Sequence, residues 1–587
     1  LVLEQVLNNY KIKIIMRINF KYVLTAGLIG LVAISACEKK IDEAYANPNA
    51  ATKQPVEQIF PSLIGSILGS SSAAGSAYGL AGDGIIIGRY IQSWGGYTKT
   101  TASNGATQYD QMGGVTDASD NGGSMWAAHY YGMGQNLNRV IEWGNEEQKW
   151  DFVGAAWALR AWTMFETTNE YGEMILRQAF NTELQQFTYE DQSEVYDSVR
   201  VICFRALSYL NRTGGSMDPI KFAASDFYFN KGDLGRWKKF VYGILARSYA
   251  YIHNKTSYSA DSVIKYADLS CASNADNITC KFQNTPISGT NNYFGSLRQN
   301  VNGTATNPTI GIRQSAFIAN LMAGNNSLAF TGVPDPRCWY MIRENANETF
   351  RGYSPSYNAT INPVLTTKGD SAFNFVGTGY ASGGTYLVPE QGRYVFKDAA
   401  EFPIMTASEM QFLKAEALVR KANYNDAKTA YSNAISLNFD MLMSNYNANV
   451  PALQVITPAV KANYLADPRV IPVTADASSM TLTKIMLQKY IALYAWGVQE
   501  TWADMRRYHY TDKDPATNQQ VYAGFIAPSG ANLFAGPPGT GNNGKLVYRF
   551  RPRYNSEYLY NIPALTAIGA YPTNNDYHTK EMWFSKP

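Results

Sequence analysis

Charge, cysteine and histidine are all scarce in this sequence. Only 17% of its 587 residues are charged, against 45% hydrophobic, which excludes a disordered polyampholyte and leaves ample material for a core. The 50 basic and 47 acidic residues give a net charge of +3. Lys11, Lys13, Arg17, Lys21 and Glu4 account for that excess, so residues 37–587 hold 46 of each sign. A neutral body without a long basic block excludes nucleic acid as the main partner, because that affinity rests on clustered Lys and Arg. The four histidines (His129, His253, His509, His578) are scattered and no Cys-x-x-Cys occurs, so a structural zinc site is not expected, and no motif assigns a metal site or a cofactor. No Gly-x-Ser-x-Gly elbow and no His-Glu-x-x-His are present. Glycoside hydrolysis needs two carboxylates across the scissile bond. With 47 acids some pair is always available, so acid content points to no enzyme, and binding without catalysis is expected. Beyond residue 36 no stretch reaches 18 apolar residues, so no spanning helix is expected there.

What is present begins at Met16. Arg17 and Lys21 precede an apolar run from Tyr22 to Ala36, too short to span a bilayer and suited to the hydrophobic region of a secretory signal. Residues 16–36 are therefore expected to be a lipoprotein signal peptide, with residues 1–15 lying upstream of the true start. The run ends Ile34-Ser35-Ala36-Cys37, the form of a lipobox: an aliphatic residue, two small residues, then the Cys that is acylated. Cys37 is the expected lipid attachment site, and its acyl chains would anchor the protein to a membrane without crossing it. Of the other cysteines (Cys203, Cys271, Cys280, Cys338), Cys271 and Cys280 lie nine apart in a polar stretch and could pair in an exported chain.

Helical periodicity is expected over 55–69, 84–94, 124–144, 150–171, 190–212, 235–254, 260–271, 405–421, 424–437 and 480–507. Residues 281–400 are rich in Asn, Gly, Thr and Pro, with β-favouring pieces such as Arg393–Phe396. Ala415, Tyr424, Ala427, Tyr431 and Ala434 alternate small and large as in a tetratricopeptide helix pair. The expected fold is mainly α: one large helical body over 37–587 with tetratricopeptide-like helix pairs, interrupted by the irregular 281–400 region with short strands. Gly539 to Lys545 has phosphate-loop spacing, yet Leu546 stands where Ser or Thr must hold magnesium, so it reads as a plain loop.

Six ordered blocks resemble the SusD/RagB family of outer-membrane nutrient-binding lipoproteins of the Bacteroidetes. They are Asn47–Thr52, Trp157–Glu173, Asp226–Phe240, Asp335-Pro336-Arg337, Ser408–Ala417 and Gln488–Arg507. The resemblance implies four tetratricopeptide-like helix pairs on one side and irregular loops on the other. It further implies a lipid-anchored protein on the extracellular face of the outer membrane, acting with a SusC-type TonB-dependent transporter. Such a protein binds an oligosaccharide or other oligomeric nutrient and passes it on without chemistry. A structural lid on the transporter, or an outer-membrane glycoside hydrolase, are the alternatives.

A sugar ring presents an apolar C–H face to an aromatic ring, while its hydroxyls suit planar amides and carboxylates. Aromatics flanked by such groups in Gly-rich loops are therefore the candidate ligand contacts: Trp94, Tyr97, Tyr109, Trp126, Tyr293, Tyr353 and Tyr357. Trp157, Trp162, Trp237 and Trp502 lie at helical spacing and read as core. Arg506 and Arg507 are expected in ion pairs or helix C-terminal contacts.

Overall fold

Helix pairing dominates the computed structural model, which describes residues 53–69, 82–96, 122–284, 291–295, 312–325, 329–353, 372, 375, 392–527, 545–552, 554–572 and 576–587. Twelve of its helices matter here: α1 (Val56–Leu68), α2 (Asp83–Tyr90), α3 (Gln135–Glu146), α4 (Trp150–Tyr171), α5 (Gln192–Leu210), α6 (Leu234–Ala250), α7 (Ala260–Leu269), α8 (Ala407–Arg420), α9 (Tyr424–Asn445), α10 (Pro458–Ala466), α11 (Leu482–Ala492) and α12 (Val498–Arg507). Four short strands join them: β1 (Trp94–Gly96), β2 (Ile278–Cys280), β3 (Ile312–Gln314) and β4 (Phe402–Met405). The unit from Val56 to Pro587 holds all of these elements.

The helices succeed one another as neighbouring antiparallel pairs: α4 with α5, α6 with α7, and α8 with α9. Helix α11 packs on α8, and α12 reaches α2 and α4. Small residues permit the close approaches. A Cβ at Gly154 of α4 would stand 2.7 Å from Leu210 Cγ at the end of α5. Side-chain caps fix the starts: Asp233 for α6, Thr406 for α8, Asn423 for α9 and Thr481 for α11 each accept a first-turn N–H. Helix α4 ends at Gly172, whose φ of +86° a side chain would resist.

Strand β1 pairs antiparallel with β3, and β2 with β4. One contiguous core runs through all the helix pairs, with Trp94, Trp126, Trp162, Trp237, Trp496 and Trp502 fully buried in it.

Three local expectations are corrected. Arg393–Phe396 forms no strand; Tyr394–Phe396 is a 3-10 turn with all three side chains buried, and Phe396 stacks on Phe375 at 4.1 Å. The apolar pattern over 480–507 is divided between α11 and α12, because Ala495 turns into the left-handed region at φ 71° and Gly497 precedes α12. Cys271 and Cys280 do not pair: with Cys203 and Cys338 they are buried free thiols. Cys37 and residues 16–36 lie outside the described residues.

Candidate functional site

The Asp335-Pro336-Arg337 block builds the site from beneath. Asp335 accepts from the Arg337 backbone N–H (3.0 Å) and from its guanidinium at Nε (3.0 Å) and Nη2 (2.6 Å), forming a closed fork. The same guanidinium donates to Asn438 of α9 (2.7 Å) and Gln488 of α11 (2.5 Å), and lies over Phe439. Tyr464 of α10 donates to Asp335 at 2.8 Å and accepts from Gln488 at 3.0 Å. Both charges are buried, and every contact anchors the loop to the helical side of the molecule. Burial penalises the Arg337 cation, yet Asp335 holds its pKa above the ordinary arginine value.

From that anchor the chain runs through the short helix Cys338–Met341 to a tight turn at Asn345. Asn345 accepts from the N–H groups of Asn347 (3.0 Å) and Thr349 (2.9 Å), and its amide donates to the Thr349 hydroxyl. The turn folds Phe350 back onto Trp339, edge to face at 4.9 Å and 82°. A second clamp holds the incoming arm: Arg393 binds Glu344 through two 2.8 Å hydrogen bonds and donates to the Trp339 carbonyl at 3.1 Å. Burial opposes ionisation of Glu344, but the Arg393 hydrogen bonds and the Arg343 charge leave its pKa lowered. Buried Gln314 of β3 donates to the carbonyls of Arg343 and Arg351, tying both arms to the sheet.

Trp339 and Phe350 line a cavity of about 800 Å³. Its other walls are the short helix from Ala316 with Asn320 and Asn325, and the segment Leu453–Val455 with Val460. Both rings are half-buried and Leu453 is 97% exposed, so apolar surface faces solvent. Asn320, Asn325, Gln454 and Arg351 add polar residues to its lining. A concave apolar surface ringed by a few polar groups suits a ligand with C–H faces and hydroxyl edges. Among the described residues no group of three or more His, Cys, Asp or Glu is placed to hold a metal ion.

Four of the expected platforms prove to be core. Trp94 in β1 is fully buried, donates Nε1–H to the Ile85 carbonyl at 2.9 Å, and packs edge-on to Phe294. Trp126 is enclosed by Tyr130, Tyr171 and Tyr189. Tyr293 is wedged against Phe282 and Phe402, and its hydroxyl donates to the Ile67 carbonyl. Tyr353 is buried too, its backbone bonded to Gln314 and Ala316. None offers a ring face to solvent, so none stacks on a sugar in this conformation. Tyr97, Tyr109 and Tyr357 lie outside the described residues. Sequence reasoning passed over Trp339 and Phe350, although the Asp335-Pro336-Arg337 block two residues before Trp339 and Tyr353 three residues after Phe350 both marked the neighbourhood.

Arg507 is bonded to Glu416 and Asp504, and Arg506 donates to the Asn169 and Tyr548 carbonyls while stacking on Trp502. Both arginines are structural, as expected.

A family model, SusD-like_2, described as "Starch-binding associating with outer membrane", matches residues 77–527. The chain belongs to the SusD-like family. Its relatives are nutrient-binding proteins associated with the outer membrane. Solved structures share the fold at low identity. A SusD/RagB family protein from Bacteroides thetaiotaomicron is 20% identical with a TM-score of 0.59, covering 91% of this chain and 99% of that one. A SusD homologue from Bacteroides uniformis gives 17%, 0.62, 91% and 99% in the same order. A chitin-binding SusD homologue from Flavobacterium johnsoniae gives 17%, 0.58, 90% and 98%. No curated protein matches the sequence.

Proposed function

We propose that this SusD-like protein is a lipoprotein, acylated at Cys37 and held on the extracellular face of the outer membrane. There it captures an oligosaccharide in the Trp339 cavity and delivers it to a SusC-type TonB-dependent transporter. The observation that carries the reading is the half-exposed Trp339–Phe350 pair, set in an open cavity beside three amides. A pyranose stacked on Trp339 would place its equatorial hydroxyls within reach of Asn320, Asn325 and Gln454. The starch-binding description of the family and the chitin-binding relative support a glycan ligand. No chemistry is proposed; capture and release suffice. Tyr97, Tyr109 and Tyr357 remain proposed additional contacts.

Isothermal titration against a panel of starch, chitin and other plant or host oligosaccharides, with peptides as controls, tests this. A saturable glycan signal lost in Trp339→Ala, with no new product on chromatography, is the expected result. Product release would favour a hydrolase. Silence across the panel, with the transporter still co-purifying, would favour a structural lid.

A further inference from the structure

The loop between α9 and α10 forms another wall of the Trp339 cavity, and Tyr340, the neighbour of Trp339 in sequence, staples it at both ends. Its hydroxyl donates to the Asn447 side-chain oxygen at 2.6 Å and accepts the Ile456 N–H at 3.1 Å. Arg393, which already holds the Trp339 carbonyl, donates to the Asn449 carbonyl at 2.8 Å, and the Asn449 amide donates to the Gly392 carbonyl at 2.8 Å. Between these fasteners Ala452–Gln454 closes a 3-10 turn, with the Gln454 N–H on the Pro451 carbonyl. The two walls are fixed to each other through Tyr340 and Arg393, so the space between them is set before a ligand arrives.

What this pinned turn presents is mostly apolar. Leu453 is 97% exposed, and Val455 and, from α10, Val460 extend the aliphatic lining. Half-buried Gln454 lies between Leu453 and Val455 in sequence, and its side-chain amide makes no hydrogen bond among the described residues. No charged residue lines this wall. An unsubstituted hexose carries C–H groups on its two ring faces and hydroxyls around its rim. With one face on Trp339 the rim meets the wall, and a hydroxyl pressed on Leu453 gives up water without a replacement partner. An acetamido group fits better. Its methyl is an aliphatic contact, and its N–H and C=O are the partners that a glutamine amide takes.

We propose that Leu453 and Gln454 form a subsite for the acetamido group of an N-acetylated sugar, which makes Leu453 a specificity-determining residue of the cavity. The methyl packs on Leu453, and Gln454 exchanges hydrogen bonds with the amide. The inference rests on the reading that a glycan stacks on Trp339, and it names the class of sugar that does so. Because Leu453 is almost wholly in water, it can be changed without disturbing the core.

The test compares chitotetraose with cellotetraose by titration calorimetry of the purified protein; the two share a β-1,4 backbone and differ only in acetamido against hydroxyl at C2 of each ring. Maltotetraose extends the comparison to α-linked glucose. Chitotetraose should bind about tenfold or more tighter than either. Leu453→Ser should remove most of that preference and leave the melting temperature and the cellotetraose affinity unchanged. Leu453→Met, which keeps an aliphatic contact, should retain the preference, and Trp339→Ala should weaken every glycan that binds. Equal affinity for chitotetraose and cellotetraose, the same ratio in Leu453→Ser, or binding of maltotetraose alone overturns the subsite while the Trp339 reading stands. No response to any of the glycans overturns both.

Discussion

Trp339 and Phe350 meet edge to face at 4.9 Å although ten residues separate them, and the Asn345 turn is what closes the gap. The pair is held by three independent fasteners: the Asp335–Arg337 fork below, the Glu344–Arg393 clamp beside, and Gln314 behind. None of the three projects a ring into the cavity. Rigidity of a binding surface built on a loop depends on such buried polar anchors, because loop backbone has few ladder bonds of its own.

This division predicts opposite phenotypes for two tryptophans. Trp339→Ala removes a half-exposed ring, so glycan affinity should fall about tenfold or more with a small change in melting temperature. Trp94→Ala empties a fully buried site, costing about 3–5 kcal/mol of stability, while glycan affinity of the folded protein is retained. Titration calorimetry and thermal unfolding of both variants check the assignment. Binding lost in Trp94→Ala at unchanged stability would reverse it.

Arg337→Ala leaves Asp335 buried without its guanidinium and Asn438 and Gln488 without their donor. Breaking a buried ion pair from one side costs about 3–5 kcal/mol. Arg337→Lys keeps the charge but cannot reach Asp335, Asn438 and Gln488 together, so most of the loss should persist. Because the fork anchors the loop that bears Trp339, proteolysis in native buffer should cut first between 338 and 352 in both variants. Cleavage patterns identical to the unmutated protein would show that the fork does not hold this loop.

The helical side of the fold is legible in the sequence because its signals are local. Periodic apolar spacing marks α4 and α7, and the Ala/Tyr alternation of 415–434 marks the α8–α9 pair. The break at Ala495 was hidden, since its left-handed backbone falls at a residue that ordinarily extends helices. The site was legible only as a neighbourhood. Trp94 in its Gly-rich loop and Trp339 after Asp-Pro-Arg look alike as residues; what separates them is whether a distant segment covers the ring. Phe294 and Tyr494 cover Trp94 from 200 and 400 residues away, and no local pattern encodes that.

The cysteine spacing misled for a related reason. Cys271 donates to the Asp276 carbonyl at 3.1 Å, and Cys280 is enclosed in β2. Burial pushes the Cys271 thiol up to about 12 and Cys203 and Cys280 higher still. Thiolate is the reactive form, so Cys203, Cys271, Cys280 and Cys338 should resist iodoacetamide in native buffer and react fully in denaturant. Peptide mass mapping reads this. A Cys271–Cys280 linked peptide from unreduced protein would contradict the free-thiol assignment.

A marked pH dependence should come from one buried guanidinium facing three carboxyls. Arg247 donates to Glu409 at 2.7 and 2.8 Å, lies 2.8 Å from Glu500, and is 3.5 Å from Glu166. One positive charge cannot hold three negative ones in a dry site. Burial, reinforced by neighbouring carboxylates, raises Glu166 to about 8; burial and Glu409 raise Glu500 to about 7. Both folded values exceed the ordinary 4.5, so the folded state binds these protons more tightly than the unfolded chain does. Their contribution is fully present below pH 4.5 and is lost as pH rises through 7 to 8. Glu416 has the opposite sign: despite burial, Arg507 holds its pKa well below the ordinary value. Its contribution is present above pH 4.5 and disappears at lower pH, which sets the acid limit. Melting temperature should therefore fall between pH 6 and pH 9. Glu166→Gln, which keeps the shape and removes the titration, should shrink that fall by about 2 °C or more. Scanning calorimetry of both proteins at pH 6, 7.5 and 9 gives the comparison. Parallel profiles would mean that Glu166 does not change protonation across this range, and that Arg247 holds it ionised throughout.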